Sequence, residues 1–140
     1  MPPTIKKIVE TSLYVKDLKE SEEFYTGVLG LEVVARKAGR HVFIKAGRNM
    51  LLLFSPEGLR REHEELGDRA IPQVYERGRT HIAFEVNEED MPRWKETLGA
   101  KKVPIEFAKN WPAGNRSYYF RDPDQNVVEL ITPGSWPIAD

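Results

Sequence analysis

The sequence predicts an α+β fold made of two βαβββ modules, and three observations carry that expectation. Short runs with strand-like alternation recur along the chain, and each half also holds one stretch with helical spacing. The first half then repeats. Aligning Glu10 with His81, 71 residues on, pairs Leu13 with Phe84, Val15 with Val86 and Asp17 with Glu88. With an offset of 77, Phe43 matches Phe120, Asn49 matches Asn126, Leu53 matches Leu130 and Pro56 matches Pro133. Two repeats are too few for a solenoid array.

Taken in order, Ile8 to Val15 sets Glu10, Ser12 and Tyr14 on one face and Val9, Thr11, Leu13 and Val15 on the other, which suits a strand covered on one side. Asp17, with Glu20 three residues later, can form a capping box; Leu18, Phe24, Tyr25, Val28 and Leu29 follow as one apolar helical face that Gly30 closes. Leu31 to Arg36 is extended, Gly39 and Arg40 turn the chain, and His41 to Lys45 and Met50 to Phe54 read as two strands around a turn at residues 46–49. Ser55 to Gly78 lacks strand character and reads as a solvated linker with one helical turn, although connections of this length are often functional. In the second half Pro92 implies a helix that starts late, capped by Asp90, because proline is tolerated only in a first turn. Pro104 to Asn115 reads as a loop carrying Trp111. The modules are placed at 5–56 and 78–133, with a linker at 57–77 and a tail at 134–140.

A chain of 140 residues, 40% hydrophobic and 31% charged with net charge -1, has the composition of a soluble globular protein. It lacks the basic excess that nucleic acid selects and any run of about 20 apolar residues that would span a membrane. With no cysteine there is no disulfide, thiolate nucleophile or sulfur-ligated zinc, which together with the N-terminal residues MPPTIKKIVE leads us to expect a cytoplasmic protein.

One residue breaks the pattern. Glu129 stands among Val127, Val128, Leu130 and Ile131, where an isolated carboxylate would cost several kcal/mol unless paired. Glu10 and His81 begin two other strands at equivalent places in the repeat, and Leu52 fills the place in the first half that Glu129 fills in the second. Either the three ionisable groups hold a metal, or they form a metal-free cluster with His81 between two acids. His63, amid charged neighbours, reads as solvated, and His41 as a surface or sheet-edge histidine.

The stretches LYVKDLKESEEFYTGVLGLEVV (Leu13 to Val34), GRTHIAFEV (Gly78 to Val86) and YYFRDPDQNVVEL (Tyr119 to Leu130) resemble the vicinal oxygen chelate superfamily, which includes glyoxalase I, extradiol dioxygenases, fosfomycin-resistance thioltransferases and bleomycin-resistance proteins. The resemblance implies two βαβββ modules forming a curved mixed sheet around a cleft, paired within or between chains, here in a homodimer. It implies a divalent metal ion, Mn, Fe, Ni, Zn or Mg, on Glu10, His81 and Glu129, acting as Lewis acid on a small-molecule substrate with two oxygens. Isomerase or lyase chemistry comes first and dioxygenase chemistry second, with Glu129 and Tyr119 catalytic. Ser117, Tyr119 and Arg121 share one strand face, and with Trp111 and Arg116 would contact the substrate. The alternative is a metal-free protein that sequesters a drug, of the bleomycin-resistance kind. The chain departs from the family at Glu10, where histidine or glutamine is usual, at Leu52, where glyoxalase I has a further acid, and at Gln125, where glycine is usual.

Overall fold

The structure is a computed structural model describing residues 2–138; Met1 and residues 139 and 140, the end of the expected tail, lie outside the described residues. It divides into two compact units, the first ending at Gly78 and the second beginning at Arg79.

In the first unit, the period-two alternation of β1 (Glu10–Tyr14) buries Leu13 while Glu10 stays exposed. Asp17 then caps α1 (Leu18–Gly27), its Oδ1 accepting the Glu20 N–H at 3.0 Å. Gly30, at φ +72°, lets the chain leave the helix at no steric cost, and its N–H is bonded to the Thr26 carbonyl. A meander of β2 (Glu32–Lys37), β3 (His41–Ala46) and β4 (Asn49–Phe54) follows, and β1 joins it parallel to β4, giving the order β1-β4-β3-β2. Helix α1 packs on β3 and β4, over a core that includes Tyr25, Ile44, Leu51 and Leu53.

The linker stretch differs from expectation. It contains α2 (Pro56–Leu66), a helix of 11 residues, followed by a 3-10 turn at Gly67–Arg69. Ser55 Oγ accepts the Gly58 N–H at 3.1 Å, Pro56 supplies a preset first-turn φ, and Leu59 is buried. Gly58 is what lets the helix dock: a Cβ there would lie 2.0 Å from the Gly39 carbonyl oxygen. Arg40, next along, reaches Glu62 on α2 at 3.0 Å.

The second unit repeats the plan with β5 (His81–Glu85), α3 (Met91–Ala100), β6 (Phe107–Asn110), β7 (Arg116–Arg121) and β8 (Val127–Ile131), in the order β5-β8-β7-β6 with β5 parallel to β8. The fold is therefore α+β, two βαβββ units each with a four-stranded mixed sheet. Asp90 occupies the expected N-cap position, but its side chain makes no capping bond and meets Arg93 at 3.5 Å instead. The loop expected over residues 104–115 contains β6, whose four residues pair with β7. Between β7 and β8, Asp122 Oδ1 accepts the backbone N–H groups of Asp124 and Asn126, and Asn126 Oδ1 accepts the Thr80 N–H. That turn, with Gln125 in the left-handed region at φ +67°, ties the start of β8 to the residue before β5. It thereby sets the register that positions Glu129.

Candidate metal and substrate site

On β8, Glu129 lies opposite Ala83 of β5 and Tyr119 of β7, and the period of two puts His81, Ser117, Tyr119, Arg121 and Phe107 on the same face of this sheet. The Glu129 carboxylate is nearly buried, with 6% of the side chain exposed, and each oxygen has a partner. Oε1 is 2.9 Å from His81 Nε2, and Oε2 accepts the Ser117 hydroxyl at 2.6 Å. Ser117 Oγ in turn accepts the Trp111 indole N–H at 2.9 Å. These bonds answer the desolvation problem posed by a carboxylate among valines.

His81 and Glu129 also suit a shared ion. Two donors each about 2.1 Å from one ion and at a right angle lie about 3 Å apart, close to the spacing found. His81 is about half exposed, so the pair can be reached from solvent. Glu10, the third expected ligand, opens β1 of the first unit, at the register place that His81 holds in the second. Among the described residues no three His, Asp or Glu side chains are gathered into a metal-holding group.

Tyr119 lines the same face, its ring centre 6.1 Å from that of His81. Burial, and then the Glu129 carboxylate beside it, push the phenol above the ordinary tyrosine value. Both effects favour the protonated phenol. The two arginines expected to receive substrate are each engaged. Arg121 forms a two-pronged pair with Glu106 at 2.7 and 3.1 Å, which holds the Glu106 carboxyl below its usual range, and Arg116 pairs with Glu88 at 2.9 Å. Both pairs are solvent-exposed and cost little to open.

Beside Tyr119 is a cavity of about 490 Å³, lined by Phe107, Trp111, Tyr119, Val127 and the Glu106–Arg121 pair. Lys109 lies 5.5 Å from the Trp111 ring centre. Sequence reasoning missed Glu106, Phe107 and Val127. The alternation of Phe107 with Lys109 would have marked them as one strand face had β6 been recognised.

The corresponding face of the first unit is chemically different. Leu52 lies opposite Ser12 and Phe43 in the place where Glu129 lies opposite Ala83 and Tyr119. His41 stacks on Phe43 at 3.8 Å between ring centres, and Phe54 and Tyr14 extend the aromatic cluster. β3 lies inside its sheet and His41 is half-buried, so it is not a sheet-edge histidine. Its Nδ1 is 2.7 Å from Arg40 Nη1, which can only donate, so Nδ1 is an unprotonated acceptor. Burial, then the Arg40 and Lys37 cations, hold the imidazole below the ordinary histidine value of 6.5. The unfolded chain thus binds this proton more readily than the fold does. The His41 contribution to stability is complete above about pH 6.5 and is lost as pH falls from there through the lower folded-state value. Thermal unfolding of the protein and of His41→Phe between about pH 8 and pH 5 is expected to show a shallower acid loss in the variant. His63 is exposed on α2, as expected.

The fold and this site define a class. A model of the Glyoxalase/Bleomycin resistance protein/Dioxygenase superfamily matches residues 7–130, and the chain belongs to that superfamily. Within it, the chain is 41% identical over 119 residues to the metallothiol transferase FosB of Bacillus licheniformis, covering 84% of this chain and 70% of that protein. It is 30% identical over 122 residues to FosB of Staphylococcus epidermidis, covering 84% and 75%. Among solved structures, the lactoylglutathione lyase from Agrobacterium tumefaciens is 37% identical, covers 99% of this chain and 100% of its own, and superposes with a TM-score of 0.83. Among the described residues no helix is long and apolar enough to cross a membrane.

Proposed function

We propose that the protein is a divalent-metal-dependent enzyme acting on a small oxygenated substrate, with Glu10, His81 and Glu129 as metal ligands and isomerase or lyase chemistry. The observation that carries this reading is the nearly buried Glu129 carboxylate turned toward His81 Nε2 at 2.9 Å. When bound, a Mn, Fe, Ni, Zn or Mg ion supplies Lewis acidity to two adjacent substrate oxygens. Glu129 would take a proton from substrate only by leaving the metal, and Tyr119 would donate one to a substrate oxygen. Phe107, Trp111 and Val127 would hold the apolar part of the substrate and exclude water. Arg121 would reach an anionic group by leaving Glu106, whereas Arg116, on the opposite face of β7 and paired with Glu88, would not meet a substrate in this cavity. Both a metallothiol transferase and a lactoylglutathione lyase have a thiol compound in their names, so thiol adducts of 2-oxoaldehydes are the first substrates to assay, before catechols. Dioxygenase chemistry ranks second. The reading includes a cytoplasmic homodimer, since the resemblance implies modules paired within or between chains and, with no cysteine, nothing calls for an oxidising compartment.

One observation favours the other reading, a metal-free protein that sequesters a small molecule: both Glu129 oxygens have protein partners without any ion. Metal analysis of protein purified without chelator separates the two. The enzyme reading expects about one equivalent of metal and a rise in melting temperature on adding Mn, Ni, Fe or Zn ions, because binding to the folded state stabilises it. Less than about a tenth of an equivalent, with no such rise, supports the sequestering protein.

A further inference from the structure

We propose that Ser117 and Trp111 are positioning residues that fix how Glu129 is presented to a metal ion. This rests on the metal reading above. A serine hydroxyl turns freely and can both give and accept a hydrogen bond, whereas an indole N–H can only give one. Because Ser117 Oγ accepts from Trp111 Nε1 at 2.9 Å, its own proton is committed to Glu129 Oε2, at 2.6 Å. That distance is typical of a bond to a charged oxygen. With Oε2 held, Oε1 alone faces His81, and the carboxylate offers one oxygen to an ion in place of two.

Ser117 is 1% exposed, so its hydroxyl does not meet substrate as its place on the strand face suggests; it acts through Glu129. Nor does the β7 ladder require it, since any small residue would pair there through its backbone. Trp111 has a second tie, because its ring lines the cavity. A substrate in that cavity therefore touches the same side chain that sets the carboxylate's orientation.

The test is titration of the full chain with Mn, Ni and Zn ions separately, for the wild type, Ser117→Ala, Trp111→Phe and the double variant. Ser117→Ala is expected to weaken binding by about 10–100-fold, the usual loss when a supporting partner is removed. Trp111→Phe, one bond further out, is expected to weaken it by about fivefold. The two act in series, so Trp111→Phe is expected to add nothing in the Ser117→Ala background. A purely structural role would give losses that add. If Ser117→Ala fails to fold, Trp111→Phe alone carries the test. In metal-free protein, the Trp111 indole N–H is expected to exchange with solvent more slowly than that of the exposed Trp136, and faster once Ser117 is alanine.

Unchanged metal affinity in both single variants would overturn the positioning role while leaving the metal reading intact. Failure of the wild type to bind any of the three ions, with the slow indole exchange still dependent on Ser117, would instead overturn the metal reading and with it the purpose assigned to these residues.

Discussion

Glu129→Gln is expected to leave the fold standing and to abolish the protein's response to a divalent ion. The amide keeps an oxygen for the Ser117 hydroxyl and nearly the same shape, so the metal-free variant should unfold within about 1 kcal/mol of the wild type. What is lost is the charge. A site at an ion concentration a thousandfold above its dissociation constant gains about 4 kcal/mol of stability, and in the variant this gain should fall below about 1 kcal/mol. Turnover should fall at least about 100-fold, since even a supporting partner of a ligand can be worth that much. Calorimetry with and without Mn ions reads the first effect and the substrate assay the second. An ion-induced rise that survives the substitution would show that Glu129 is not a ligand.

The second large effect arises in the first unit. Gly58→Ala places a methyl group 2.0 Å from the Gly39 carbonyl oxygen and 3.0 Å from its carbon, both backbone atoms that no rotamer change can move. Gly39 is itself fixed in a turn at φ +75°, and the Ser55 N–H is bonded to the Arg40 carbonyl at 2.9 Å. The start of α2 has to lift away, exposing Leu59 and separating Arg40 from Glu62. Overpacking of this kind, with partial loss of a buried leucine, should cost about 3 kcal/mol, read as a lower denaturant midpoint in the metal-free protein.

Where a signal was local, the sequence was legible. Asp17 and Gly30 mark the ends of α1 through caps that act within a few residues, and the duplicated pattern appears because each strand face must repeat the same alternation. Glu129 stood out because a charge in a valine-rich strand is costly wherever the strand lies. Helix α2 was overlooked although Ser55 and Pro56 are a helix start, because Gly58 resembles a breaker until the backbone it packs against is known. The bonds from Trp111 to Ser117 and from Ser117 to Glu129 depend on strand register across β6, β7 and β8. The partners of the arginines are likewise set by folding. Arg121 meets Glu106 from 15 residues away and Arg116 meets Glu88 from 28, separations at which charge patterning along the chain says nothing.

The matching rungs of the two sheets have one last consequence. Leucine at residue 52 and glutamate at residue 129 are set by the same strand order and the same pairing, yet only one is acidic. Doubling the module has not doubled its chemistry, so the first copy holds no spare for this carboxylate.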